Sequence, residues 1–127
     1  MTPTEFDRIV ERAFAGIPAR FRVRMKNVAL VVEPEPPPMP GGGTLLGLYQ
    51  GRPLTARSVF ESFAMPDRIT IFQGPHERIA RSPEHLEKLV QETVWHEIAH
   101  YFGMDEKQVR QAEKRRRRRP APPPRNL

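Results

Sequence analysis

The apolar positions change period along the chain, and the changes mark out its elements. From Thr4 to Ala15, Phe6, Ile9, Val10, Ala13 and Phe14 recur at helical spacing on one face. Pro3 suits the start of that helix, and Gly16 followed by Pro18 suits its end. A short second helix is predicted between Pro18 and Lys26, with Phe21 and Met25 inward. Val28 to Glu33 (VALVVE) is a compact β-branched run and predicts a strand. Leu45 to Tyr49 predicts a second, and Arg68 to Gln73 (RITIFQ), with clear alternation, a third. The stretch Pro34 to Gly43 (PEPPPMPGGG) suits neither strand nor helix and is expected as a surface loop. Val59 to Phe63 stays open between helix and strand. There are no internal repeats.

From Pro83 a long helix is predicted, with Ser82 as N-cap and Pro83 at the first position, where a missing amide donor costs nothing. It should run to about Phe102 and stop at Gly103, a residue suited to the left-handed turn that ends helices. On a wheel at about 100° per residue, Leu86, Leu89, Val90, Thr93, Val94, Ile98 and Tyr101 form its apolar face. His96, Glu97 and His100 fall within the same arc, while Lys88, Gln91 and Glu92 lie outside it. Three ionisable groups are therefore aimed at the interior. Left unpaired, each costs on the order of 5 kcal/mol, so something must satisfy them.

A zinc ion does so. Side chains at i and i+4 lie about 5–6 Å apart at Cβ, close enough for two imidazoles to converge on one ion at about 2.0–2.1 Å. Glu97 projects about 100° around the axis, too far to be the natural third ligand but able to reach a water on the metal. Zinc lowers the pKa of such a water towards about 7, and a carboxylate beside it can take the proton during attack on a carbonyl. A catalytic site also needs a third protein ligand. Gly103 lets the chain reverse, and Glu106 stands six residues past His100, where the HExxHxxGxxH pattern has its third ligand; Asp105 is the substitute. Either acid would equally suit the N-terminal dipole of a following helix, for which Glu106 to about Arg115 has the propensity. His76, after the Gly74-Pro75 turn, is expected on the surface or lining the cleft, and His85 is expected to be exposed. Tyr101 and Tyr49 could polarise a developing oxyanion or simply wall the cleft.

Composition narrows this picture. A chain of 127 residues suits one domain able to bury a core without disulfides. It has no cysteine, which excludes thiolate zinc sites, iron–sulfur clusters and cysteine nucleophiles, and leaves His, Asp and Glu as ligands. The first residues, MTPTEFDRIVERAF, include Glu5, Asp7 and Glu11 and no apolar run of signal-peptide length. With no stretch near the roughly 18 apolar residues of a membrane span, a cytoplasmic protein without a membrane partner is expected. The formal net charge is +6, but it is not evenly spread. Residues 114–127 carry Lys114, Arg115 to Arg119 and Arg125 and no acid, whereas the other 113 residues hold 14 basic and 15 acidic side chains. The basicity belongs to a tail. A folded domain over residues 1–113 and a disordered Arg/Pro-rich tail over 114–127 are expected.

Taken together, HEIAHYFGMDE, NVALVVE (Asn27–Glu33), LLGLYQG (Leu45–Gly51), PLTARS (Pro53–Ser58) and PDRITIFQGP (Pro66–Pro75) resemble the bacterial minimal zincin-like metallopeptidases over most of residues 4–112. The resemblance implies a compact α+β domain: a short mixed sheet of about three to four strands packed against an active-site helix and an N-terminal helix. It also implies His96 and His100 as zinc ligands and Glu97 as the general base. Members usually have Asp where this chain has Glu106, and often a second His where it has Tyr101.

Three functions fit the sequence. The first is a zinc-dependent peptidase acting on small or unfolded peptides, with the loops Pro34–Gly43 and Pro53–Asp67 as cleft walls. The second is a non-catalytic module in which the metal satisfies the His pair. The third is association with nucleic acid through Arg115–Arg119, salt-dependent and sequence-independent because it runs through phosphates.

Overall fold

A computed structural model of the chain describes residues 1–25, 27–51, 67–103, 107, 111 and 114. Helix α1 (Pro3–Ala15) starts from a capping box: Thr2 Oγ1 accepts from Glu5 N, and Glu5 Oε2 accepts from Thr2 N, both at 3.1 Å. Two of the backbone donors that a helix start leaves unpaired are thereby satisfied. Its buried stripe is Phe6, Ile9, Val10 and Ala13. Helix α2 (Ala19–Arg22) is shorter than expected, and the chain leaves it through turns at Val23 and Arg24 before Asn27, whose φ of 61° reverses the path into the sheet.

Three strands form the sheet: β1 (Val28–Glu33), β2 (Gly47–Gln50) and β3 (Asp67–Phe72), in the order β1-β3-β2. β1 runs parallel to β3, with Leu30 beside Ile69, and β2 runs antiparallel to it, with Gly47 beside Ile71. The central position of β3 explains its composition: Ile69 and Ile71 have no exposed surface and meet the helices. β2 is an edge strand, paired with β3 on one side and with no described strand on the other.

Helix α3 (Gln73–Ile79) follows β3 directly, where the sequence suggested only a turn at Gly74-Pro75. Pro75 sits in its first turn, where the backbone donors have no partner within the helix, so a proline there starts a helix as readily as it closes a turn. Helix α4 (Pro83–Tyr101) then crosses the domain, and Gly103 ends it at φ +84°. The core lies between α1, α4 and one face of β3, where Phe6, Val10, Ile17, Ile69, Ile71, Val90, Val94 and Ile98 interlock. Each such side chain contributes about 1.5–3 kcal/mol on burial.

This is the expected α+β architecture, a mixed sheet against the long and N-terminal helices. Lys107, Gln111 and Lys114 are helical, in keeping with the propensity of that stretch. Among the described residues no helix is long and apolar enough to cross a membrane. Val59 to Phe63 and the motif PLTARS lie outside the described residues.

Candidate metal centre

Helix α4 is set by its ends. Ser82 Oγ accepts from His85 N at 3.0 Å, Pro83 fills the first position, and Gly103 turns the chain away. Its buried face runs through Leu86, Val90, Thr93, Val94, Glu97, Ile98 and Tyr101, so Glu97 occupies a place in the apolar stripe with only 6% of its surface exposed. His96 and His100 flank it, half-buried, with ring centroids 4.9 Å apart and planes inclined at 65°. All three line one cavity of about 520 Å³ between α4 and the segment Thr44–Tyr49, which comprises most of β2 and the residues leading into it. Leu45, Leu46, Leu48 and Leu89 supply apolar walls, and Glu92 adds a second carboxylate.

Strand β2 lies close upon α4, and Gly47 makes that possible. A Cβ there would stand 2.8 Å from Thr93 Cγ2, 3.1 Å from Glu97 Cγ and 3.2 Å from Thr70 O. Only a residue without a side chain fits at this crossing. The glycine inside the strand pattern LLGLYQ is the sequence signal for such an approach, and a reading by hydrophobic period passes over it.

The other residues singled out from the sequence divide. Tyr49 lines the cavity, but its hydroxyl donates to buried Asp67 Oδ2 at 2.6 Å. Tyr101 is in the core, 1% exposed, and its hydroxyl donates to Arg24 O at 3.1 Å, which removes it as an oxyanion donor. His76 is neither on the surface nor in the cleft. α3 turns it inward to complete burial, with Nδ1 2.7 Å from Phe72 O and Nε2 2.9 Å from Thr93 Oγ1. Burial lowers its pKa, opposed in part by the Phe72 hydrogen bond. His85 is half-buried, its Nδ1 accepting from Arg81 N at 3.0 Å, away from the cavity. The loop Pro34–Gly43 does not line the cavity; the wall begins at Thr44. Asp105 and Glu106 lie outside the described residues, as does nearly all of the expected wall Pro53–Asp67.

The donor set fits zinc as far as it is described. Two imidazoles one helical turn apart face a cavity with leucine walls in a chain with no thiol, an arrangement in which they would suit two of the three protein positions that a catalytic zinc ion needs. Among the described residues no group of three or more His, Asp or Glu side chains is placed to hold an ion.

A helix bearing HEIAH beneath the antiparallel edge strand of a small mixed sheet defines a zincin-like class of domain. The family model for zincin-like metallopeptidases matches residues 25–116, and the chain belongs to that family. A solved structure of a conserved hypothetical protein from Thermo thermophilus is similar, with a TM-score of 0.56 and 28% identity, over 90% of this chain and 99% of that one. No curated protein matches the chain.

Proposed function

We propose that this chain is a zinc-dependent peptidase in which His96 and His100 hold the ion, Glu106 is the third ligand with Asp105 as the alternative, and Glu97 is the general base. The observation that carries the reading is the position of Glu97. It is buried in the apolar stripe of α4, beside the two imidazoles, and faces a cavity large enough for a peptide side chain. A carboxylate at such a position carries a desolvation cost that an apolar residue would not, which supports a functional role for it.

The bound ion would acidify water and polarise the scissile carbonyl. Every other part falls to the chain. Glu97 accepts a proton from the attacking water through its carboxylate and returns it to the leaving amine. Among the described residues the edge of β2 away from β3 has no strand partner, and it would offer backbone donors and acceptors to an extended peptide, orienting the bond over Glu97. The leucines around the cavity favour an apolar side chain beside that bond and exclude water from it. The substrate class of this reading is small peptides or unfolded segments that can be laid along one strand. The catalytic unit is residues 1–113, and the Arg/Pro-rich tail stands outside it.

The test is hydrolysis of a mixed peptide library by zinc-loaded protein, beside Glu97→Gln. Cleavage by the parent and none by the variant supports the proposal. Equal behaviour of the two refutes it.

A further inference from the structure

Behind the cavity, four polar groups form a short closed chain. Phe72 O lies 2.7 Å from His76 Nδ1, His76 Nε2 lies 2.9 Å from Thr93 Oγ1, and Thr93 Oγ1 lies 2.9 Å from Leu89 O. Both ends are carbonyls and can only accept. Three hydrogen bonds along this chain need three protons. A neutral imidazole and a hydroxyl supply two.

The two protons have one low-cost arrangement. With Nδ1–H donating to Phe72 O, the Thr93 hydroxyl donates to Nε2. Leu89 O then gives up the hydroxyl but keeps the backbone bond from Thr93 N within α4. The opposite tautomer would set the Nδ1 lone pair against a carbonyl oxygen at 2.7 Å, two acceptors with no proton between them. His76 is packed for neutrality on every side. It meets the ring of Phe6 from α1 at 5.6 Å, Phe72 O from the end of β3 and Thr93 from α4. Its titratable neighbours along the chain, Glu77 and Arg78, are exposed, and Glu97 stands one turn beyond Thr93.

Thr93 is the link to the cavity. Its hydroxyl points back to His76, so its methyl faces forward, where it and the Glu97 stem form the surface on which Gly47 rests. If the hydroxyl were released, rotation about χ1 would swing it into the cavity, within reach of the Glu97 carboxylate, and remove the methyl from beneath β2.

We propose that His76 is a positioning residue for Glu97: as the neutral Nδ1–H tautomer it holds the Thr93 hydroxyl, which fixes the Thr93 methyl against Gly47 and sets the gap between α4 and β2. The role in catalysis rests on Glu97 being the base; the positioning itself does not. His76 touches no substrate and acts only through Thr93.

Two measurements on the full zinc-loaded chain test this separately from the peptidase reading. Long-range ¹H–¹⁵N correlation of the imidazole at neutral pH should show the Nδ1–H tautomer for His76, and a nuclear Overhauser contact should join the Thr93 methyl to Gly47 Hα. The Nε2–H tautomer, or no such contact, overturns the proposal whether or not the protein cleaves peptides. In His76→Leu the contact should be lost while zinc affinity stays within about twofold. Where the parent hydrolyses peptide, kcat should fall roughly ten- to hundredfold with KM little changed. The double variant His76→Leu/Thr93→Val, which replaces the polar pair by an apolar pair of similar shape, should recover most of that kcat. A loss that the second substitution does not recover would reduce His76 to a packing residue. Should His76→Leu fail to fold, the tautomer and the contact in the parent chain still decide.

Discussion

The first three turns of α4 and its last two bury the same face of one helix to different ends. From Leu86 to Val94 the face meets α1 and β3 and is apolar, apart from Thr93, whose hydroxyl is tied back to His76. From His96 to His100 the face continues in phase, but Glu97 takes a core position and two imidazoles flank it beside a cavity. The first part gives rigidity, since each buried side chain there is held by several elements. The second part puts polar groups on that rigid support at a fixed spacing. Ile98, between Glu97 and His100, belongs to the core and shows that the two parts overlap by a turn. A site built this way is positioned mainly by the apolar packing of the preceding turns, to which only the Glu97 stem adds, against Gly47.

Substitutions confined to one part or the other should separate the two roles. The largest effect is expected at Glu97→Gln, which should lower peptide hydrolysis by about 10²–10⁴-fold, measured as kcat/KM, with the thermal midpoint nearly unchanged. Ile98→Ala, one residue on, should do the reverse. It should cost about 2–5 kcal/mol in a urea denaturation series while leaving both imidazoles in place. Ser82→Ala, at the far end of the same helix, should cost about 1 kcal/mol through loss of the cap on His85 N, with kcat/KM unaltered.

The smallest effect should be a pH dependence from His76. Unfolded, its ring takes a second proton near pH 6.5, and burial in the fold holds that pKa lower. Between the two values the unfolded chain binds more protons. The contribution to stability is therefore complete above the unfolded value and is lost as pH falls towards the folded one. Denaturation midpoints should fall on acidification through this window, and His76→Leu should flatten the slope.

Much of α4 was legible in the sequence because its signals agreed: a cap, an apolar period and three ionisable residues on the wrong face for solvent. The strands were placed to within a residue or two for a similar reason, since VALVVE and RITIF have little choice but a sheet. α3 was not legible, because Gly-Pro closes a turn or opens a helix with equal ease and the neighbouring sequence does not decide between them. The fate of His76 followed from that helix, so its burial against Thr93 could not be read either. Tyr101 falls on the same arc as Glu97, and its hydroxyl bonds to Arg24 O, a tertiary contact that the helical period does not show. Gly47 stood in plain view, but the closeness it permits depends on where β2 crosses α4, a tertiary fact.

Everything proposed for the site turns on one division of labour: the His pair holds the metal with one acid from the segment after Gly103, while Glu97 handles a proton and no metal. Zinc titration against a competing chelator separates these roles when run on the parent, Glu97→Gln, Asp105→Ala and Glu106→Ala. Affinity should stay nearly intact in Glu97→Gln and Asp105→Ala and fall strongly, by about tenfold or more, in Glu106→Ala. The reverse order at positions 105 and 106 would move the third ligand to Asp105. A large loss in Glu97→Gln, or none at either acid after Gly103, would contradict the division.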